Sequence, residues 1–332
     1  AVDAQYERHP EIWEKYGERG RQFSLRDQGF LYDYLSEALA RDDDSLFTDY
    51  ATWLKVLFEN LGFPASSIAD HLECSREALQ QTLPADVAAP GVALLDKALE
   101  TVSDAPTSLP TYLPDDLPLQ GLATEYLERL LSGDRRGAST LILDAVDGGA
   151  EIRDVYLQVF QRCQWEVGRL WHLNQVTVAQ EHFCSAATQL IMSQLAPRIF
   201  AAGGGGPSFV GACVGGELHE IGLRMVSDFL ELAGWNTYFL GANAPTSAII
   251  KALEEQQARV LGLSASLPLH LKDVAGVVAA VRATPAVADV KILVGGYVFR
   301  NAPDRAQRVG ADGFAADADQ AVQLATSLVQ AA

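Results

Sequence analysis

The fold of this chain is indicated most clearly by FVGACV (residues 209–214) and by GGELHEIG, which follows it (residues 215–222). The first part is a short apolar, β-rich run, and the second is a glycine-rich loop that carries His219. A helical pattern of apolar residues then runs from His219 to Leu232. A strand, a loop and a helix in this order begin a βαβ unit, and such a loop lies at the edge where α/β sheets bind ligands.

The same alternation of strand and helix continues through the rest of the chain. Further strands are predicted at Thr237–Leu240, Val260–Ser264, Ile292–Val294 and Gly313–Ala315. The helices between them are predicted at Thr246–Gln257, Leu271–Thr284 and Ala302–Val309. This spacing is typical of a parallel sheet wrapped by helices. We therefore expect residues 207–332 to form a flavodoxin-like, Rossmann-like (βα)5 domain of the α/β class.

Two all-α segments precede this domain. Helical apolar spacing across residues 1–104 predicts helices at Pro10–Gly20, Ser24–Arg41, Ser45–Gly62, Pro64–Leu83 and Val92–Val102. Residues 105–121 are proline-rich and are predicted to be an extended linker. Residues 122–202 read as a four-helix bundle, in which Thr177 and Gln180 form a capping box that begins a helix.

Composition excludes several classes of function. The 332-residue chain has a formal net charge of −18, which opposes direct nucleic-acid binding. Its four cysteines form no CxxC pair. No apolar run is long enough to span a bilayer and no signal-peptide pattern is present, so we expect a cytoplasmic protein without membrane contacts. Because Ser-His-Asp, P-loop and HExxH patterns are missing, these catalytic classes are not indicated.

Small residues end two further strands at the edge that carries the histidine loop. Ser264-Ala265-Ser266 ends the third strand, and Gly295-Gly296 ends the fourth. They would leave an open slot that a long, flat group can enter. Glu217 is placed to accept a hydrogen bond from His219 and to set the tautomer of its imidazole. Gly222 lets the backbone pass close to a bulky ligand.

This arrangement resembles the cobalamin-binding fold. The family pattern is Asp-x-His-x-x-Gly, then Ser-x-Leu or a variant after about 41 residues, then Gly-Gly after about 26 to 28 more. Here 41 residues separate Gly222 from Ser264, and 28 separate Ser266 from Gly295. Two positions depart from the pattern, since Glu217 replaces Asp and Ser266 replaces Leu.

The resemblance assigns roles to individual residues. It implies that His219 replaces the dimethylbenzimidazole tail as the lower ligand of the cobalt in cobalamin. The displaced tail would then contact Ser264 and enter the sheet beside Gly295 and Gly296. On the same resemblance, Glu217, Gly222 and Ser266 are expected to contribute to the cofactor site.

Trp171-His172 is followed after eight residues by Glu181-His182, in the bundle ahead of the sheet. This arrangement resembles the light-sensing module of the CarH photoreceptors, with the resemblance covering residues 122–332. It implies adenosylcobalamin as the cofactor and a cap of Trp171, Glu181 and His182 over the adenosyl group. Light would break the cobalt–carbon bond, and His172 would become the new upper cobalt ligand. The alternative is a core tryptophan beside solvated helix-end charges.

CarH proteins begin with a basic DNA-binding domain, and this chain has an acidic helical segment at residues 1–104 in its place. In architecture the chain then resembles the photocobilins, which implies a globin-like domain that holds a bilin, most plausibly biliverdin. His71 and Cys74 are the candidate bilin residues. The alternative explanation makes them two ordinary helix residues.

These resemblances lead to a photoreceptor rather than an enzyme as the first hypothesis. Its expected partners are cobalamin, a bilin and a downstream signalling protein, and self-association is left open. The second hypothesis is a corrinoid carrier protein of a methyltransferase system, which also joins a helical cap to this fold. A mutase subunit is a third hypothesis, but no segment is long enough for its substrate barrel.

Overall fold

The computed structural model describes residues 1–201 and 203–330, and the chain divides into two compact units. The first, here called the helical unit, comprises residues 1–110 and 169–176. The second, the sheet unit, comprises residues 111–168 and the chain from residue 177 onward. Within the described ranges, no helix combines the length and the apolar character needed to cross a membrane.

The helical unit is an all-α fold around an apolar core. It contains α1 (Val2–Arg8), α2 (Pro10–Arg41), α3 (Ser45–Asn60), α4 (Ser67–Thr82), α5 (Ala85–Asp104) and the end of α9 (Gln161–His172). Fully buried side chains in its core include Leu31, Leu46, Phe47, Ile68, Leu72 and Leu95. Burying side chains of this size stabilises a fold by roughly 1.5–3 kcal/mol each.

The helix boundaries in this unit differ from the predictions at three places. The sequence predicts two helices over residues 10–41, whereas α2 is continuous except for a kink at Gly17, where φ is 56°. Helix α5 begins at Ala85 rather than at Val92 because Pro90 is accommodated inside it. The short α1 was not predicted. The globin-like character of residues 1–104 stays a prediction.

A helical bundle forms the first part of the sheet unit. It consists of α6 (Gln120–Leu131), α7 (Arg135–Asp147), α8 (Ile152–Asp154), a π-helical segment (Val155–Phe160), most of α9, and α10 (Val178–Phe200). The predicted capping box is present, since Thr177 Oγ1 accepts from Gln180 N (3.2 Å) and Gln180 Oε1 accepts from Thr177 N (3.0 Å). Inside the bundle, the Tyr126 and Thr188 hydroxyls are 2.8 Å apart.

The remainder of the sheet unit is a five-stranded parallel sheet with strand order β2-β1-β3-β4-β5. Its strands are β1 (Ser208–Cys213), β2 (Asn236–Gly241), β3 (Val260–Ser264), β4 (Lys291–Gly295) and β5 (Gly313–Phe314). Its helices are α11 (Ile221–Leu232), α12 (Thr246–Glu255), α13 (Leu271–Ala283), α14 (Tyr297–Arg300), α15 (Arg305–Arg308) and α16 (Ala318–Gln330). The order confirms the flavodoxin-like α/β fold.

Two helical predictions for this part need correction. The helix predicted at Ala302–Val309 is shortened to α15, and neither α14, which precedes this range, nor α16 is indicated by the sequence analysis. Each predicted strand has its observed counterpart. Because β1 lies between β2 and β3, the chain leaves β1 at the point where the strand order reverses. Such a switch point is where open α/β sheets leave a crevice for a ligand.

Candidate functional site

The loop after β1 is held by backbone and side-chain hydrogen bonds to the loop after β2. Asn243 Oδ1 accepts from Gly216 N (2.8 Å), and Asn243 N donates to Glu217 O (2.9 Å). Ala244 N donates to Cys213 O (2.9 Å) at the end of the strand. These contacts fix the path of residues 214–220 at the carboxyl edge of the sheet.

Glu217 is the centre of this loop, and its side chain is completely buried. Its carboxylate accepts four hydrogen bonds. Oε1 accepts from His219 N (2.8 Å) and His219 Nδ1 (2.5 Å). Oε2 accepts from Ser266 N (2.5 Å) and His270 Nδ1 (3.0 Å). One carboxylate therefore joins the loop after β1 to the segment that follows β3.

These bonds set the charge state of the carboxylate and of the imidazole. Burial raises the pKa of Glu217, but the hydrogen bonds from His219, His270 and two backbone amides outweigh burial and hold this pKa well below its usual range. The hydrogen bond to Glu217 raises the pKa of His219 against the opposing effect of partial desolvation, and the charges of Glu217 and Glu181 also raise it. The site thus pairs an ionised carboxylate with an imidazole of increased basicity.

His219 presents its second ring nitrogen outward. Its side chain is 64% exposed, although its neighbour Glu217 is fully buried. Because Nδ1 donates to Glu217, Nε2 is the nitrogen left for an external ligand. A neutral imidazole held in one tautomer by a carboxylate is the usual form of a metal-binding histidine.

The ends of β3 and β4, between which the sequence analysis predicts a slot, pair with each other in the structure. Ser264 and Gly295 are paired in register, and Ala265 N donates to Gly295 O (3.1 Å). Gly296 has φ of 101°, and a Cβ atom at this position would overlap the backbone of Ala265. The strand ends can approach this closely only because residue 296 is a glycine. The small residues predicted to line the slot are therefore brought together at one edge with His219.

Trp171 and His172 belong to the helical unit. The Trp53 ring stacks on Trp171 (centroids 6.0 Å apart) and on His172 (4.7 Å). His172 Nε2 donates to Trp53 O (2.8 Å), and burial lowers the pKa of His172. One ring nitrogen of His172, the residue that the light-sensing hypothesis gives to cobalt, is thus bound to a backbone carbonyl.

Glu181 and His182 lie in the sheet unit, in the first turn of α10. His182 Nδ1 is 2.5 Å from Glu181 Oε2, and Ser185 Oγ donates to Glu181 Oε1 (2.9 Å). The His182 side chain is 74% exposed. The pair is therefore preformed and accessible, but it belongs to a different unit from Trp171-His172.

The candidate bilin residues His71 and Cys74 are buried in the helical unit. His71 Nδ1 lies 3.4 Å from Gln5 Oε1, and burial lowers its pKa to about 4. Cys74 Sγ accepts from Arg8 Nη1 (3.4 Å), and burial raises the pKa of this thiol. Both side chains have partners inside the fold, and biliverdin binding stays a prediction.

His270 is the site residue that sequence reasoning missed. No motif of the sequence includes it, whereas in the structure its Nδ1 donates to the buried Glu217. A signal for it was present, because His270 follows β3 by only a few residues and so lies at the same edge as His219.

Two family models match consecutive parts of this chain. The B12 binding domain family matches residues 207–324, and a second B12 binding domain family matches residues 122–196. Dimethylamine corrinoid protein 3 of Methanosarcina mazei is 31% identical over 120 residues, which cover 36% of this chain and 71% of that protein. Dimethylamine corrinoid protein 3 of Methanosarcina acetivorans is also 31% identical over 120 residues, but the chain spans only 55% of its length.

A solved structure agrees at the level of the fold. The Methanosarcina barkeri monomethylamine corrinoid protein superposes with a TM-score of 0.55 at 19% identity, covering 64% of this chain and all (100%) of that one. The fold and site define a B12-binding α/β domain preceded by a helical bundle. The chain belongs to the family of B12-binding corrinoid proteins.

This membership corrects the first functional hypothesis. The light-sensing interpretation, including capture of cobalt by His172, is wrong, because the relatives found are corrinoid proteins of methylamine systems. Of what the resemblance to CarH photoreceptors and photocobilins implies, only the cobalamin-binding module is supported. The findings favour the second hypothesis, that of a corrinoid carrier.

Proposed function

We propose that this chain is a corrinoid carrier protein, which holds cobalamin and presents its cobalt to partner methyltransferases. The observation that carries the proposal is the exposed His219 imidazole, bound through Nδ1 to a buried carboxylate beside the paired strand ends Ser264 and Gly295. The corrinoid relatives support the same assignment.

The residues present fit cobalamin. His219 Nε2 is the donor for the lower face of cobalt, and Glu217 keeps the imidazole in the tautomer that frees this nitrogen. Ser264, Gly295 and Gly296 line the slot for the nucleotide tail. When bound, the cobalt centre supplies a site that accepts a methyl group from one partner and gives it to another.

The other residues that the sequence predicts to contact the cofactor belong partly to the sheet unit and partly to the helical unit. Gly222 and Ser266 flank the histidine loop and the slot, and we assign them to cofactor contact. Glu181 and His182 are assigned to the cofactor because they form an accessible pair at the start of α10, in the bundle ahead of the sheet. Trp171 and His172, which pack on Trp53 in the helical unit, receive no cofactor role.

The first test is the identity of the axial ligand. Apoprotein grown with 15N-histidine is reconstituted with hydroxocobalamin, reduced to cobalt(II) and examined by EPR, which resolves coupling to a coordinated nitrogen. Wild type should show coupling that changes with the label, and His219→Ala should lose it. His9→Ala, in the helical unit, is the control and should behave as wild type. A wild-type signal that ignores the label would overturn the assignment.

The second test is methyl transfer itself. Fully reduced, loaded protein should react with 13C-methyl iodide, and the label should stay with the protein through gel filtration as a cobalt-bound methyl signal in NMR. If the loaded protein does not take up the label under conditions that methylate free cobalamin, the carrier function is refuted.

A further inference from the structure

We propose that helix α2 associates with α2 of a second copy of this chain, in an antiparallel arrangement about a two-fold axis. The surface involved, here called the α2 stripe, comprises Arg19, Phe23, Arg26, Phe30 and Asp33. This inference goes beyond the proposed function, because no residue of the α2 stripe belongs to the cofactor site and the association needs no cobalamin.

The spacing of the α2 stripe is that of a coiled-coil seam. Its residues follow one another at alternating steps of four and three positions, and all of them are exposed. A mean step of about 3.5 residues keeps such positions on one face of a helix, which then packs on a partner helix. Residues 19–33 lie in the regular part of α2, after the kink at Gly17, and extend about 21 Å along the helix axis.

The two phenylalanines of the α2 stripe are incompletely covered by their own chain, since Phe23 and Phe30 are each 44% exposed. The Cζ atoms of Arg19 and Arg26 lie 5.7 and 5.0 Å from the centroid of the Phe23 ring. Within the described part of the chain, no cation lies over the Phe30 ring. Aromatic residues and arginine are enriched in protein–protein contacts, so this composition indicates an interface.

The order of residues along the α2 stripe is self-complementary. Arg19 and Phe30 lie at equal distances on either side of the midpoint between residues 24 and 25, and so do Phe23 and Arg26. A two-fold axis through this midpoint therefore places each phenylalanine opposite an arginine of the second copy, where the guanidinium can lie over the ring. The Phe30 ring, which lacks a cation in its own chain, is covered by Arg19 of the second copy in this way.

The charges at the two ends of the α2 stripe select the antiparallel direction. Arg19 and Asp33 are both exposed, and neither has an ion-pair partner among the residues that the structure describes. In the antiparallel arrangement Arg19 lies within one helical turn of Asp33 of the second copy, and the two-fold axis repeats this contact. A parallel arrangement would instead place arginine opposite arginine and aspartate opposite aspartate, which is repulsive.

The test is the mass of the full chain in solution, measured by sedimentation equilibrium over a range of protein concentrations. A salt concentration of about 0.15 M, where the Debye length is about 8 Å, limits the repulsion between two acidic chains. Wild type should change from the mass of one chain to that of two chains as its concentration rises. Wild type that remains monomeric up to about 100 μM would overturn the proposal, since even weak specific interfaces associate in the micromolar range.

The first variant, Phe30→Lys, places a second cation opposite Arg19 of the second copy. Because the axis makes each substitution act twice, association should weaken at least about tenfold. Tyr238→Lys, on β2, is the matched control, since Tyr238 is also 44% exposed, and it should associate like wild type. Phe30→Gln is the second variant should lysine impair folding. A dimer that is lost in Tyr238→Lys, or kept in both Phe30 variants, forms through another surface, and the proposal then fails.

Charge reversal tests the direction of the two helices. Arg19→Asp and Asp33→Arg, each alone, bring like charges together across the axis and should weaken association. The double variant Arg19→Asp/Asp33→Arg restores opposite charges and should associate more tightly than either single variant. A double variant that associates no more tightly than the single variants would refute the antiparallel arrangement.

Discussion

Two imidazoles in this chain have pKa values shifted in opposite directions, and the residues around them explain why. His71 is almost fully buried, and burial lowers its pKa to about 4. His219 donates to a buried carboxylate, which raises its pKa. At the scale of single residues, the same side chain is thus kept neutral as a core group in one place and made a stronger base in another.

The pKa of His71 leads to a pH-dependent stability. The folded-state pKa lies below the unfolded value of about 6.5, so the unfolded chain binds the proton more readily. His71 makes its full contribution to the free energy of unfolding above pH ~6.5. As the pH falls towards 4 this contribution is lost, which lowers the free energy of unfolding by up to about 3 kcal/mol. Urea unfolding between pH 7 and pH 4 measures it.

His71→Gln removes the titrating group and should lose much less stability than wild type over this pH interval. An equal loss in both proteins would show that other groups cause the acid sensitivity of the helical unit.

At the scale of elements, two of the three glycines in helix α2, Gly17 and Gly29, have contrasting backbone conformations. Gly17 has φ of 56° and interrupts the helix, whereas Gly29 lies in its regular part. At both positions a Cβ atom would meet no atom within 4 Å. Only backbone conformation therefore distinguishes the two sites.

This difference predicts opposite effects of the same substitution. Gly17→Ala should destabilise the protein by about 1 kcal/mol, because an L-residue is disfavoured in the left-handed region. Gly29→Ala, the matched control, should stabilise it by about 0.5–1 kcal/mol by improving helix propensity. Chemical denaturation gives both values. A stabilising Gly17→Ala would mean that the kink is dispensable.

The element scale also shows what sequence alone can predict. The strands of the sheet are predictable because each is a short apolar or β-rich run bounded by breaks, and His219 and Glu217 are predictable because they are neighbours in sequence. His270 and Trp53 were missed as partners because their contacts with Glu217 and His172 depend on the folding of distant segments. The π-helical segment Val155–Phe160 carries no distinctive local pattern.

At the scale of the whole molecule, charge is the dominant property. The formal net charge of the chain is −18. Because like charges are closer together in the folded protein than in the expanded, unfolded chain, their repulsion destabilises the folded state. Individual surface ion pairs, such as Arg129 with Glu125, contribute little to offset this repulsion.

Added salt should therefore stabilise the apoprotein. At 0.1 M salt the Debye length is about 10 Å, so repulsion between surface charges that are farther apart than this is largely screened. The melting temperature should rise between about 10 mM and 300 mM NaCl, and KCl should act equally. A fall in melting temperature with either salt would show that local ion pairs outweigh the overall repulsion.

The carboxylate of Glu217, with donors on both of its oxygens, has a consequence for the kinetics of cofactor capture. The loop that carries His219 is already ordered when the chain folds, so its conformational entropy is lost then and not on binding. Association should consequently be limited by how quickly the incoming corrinoid detaches its own base. Detachment of this base is then the slow step of loading, because the binding loop of the protein needs no rearrangement.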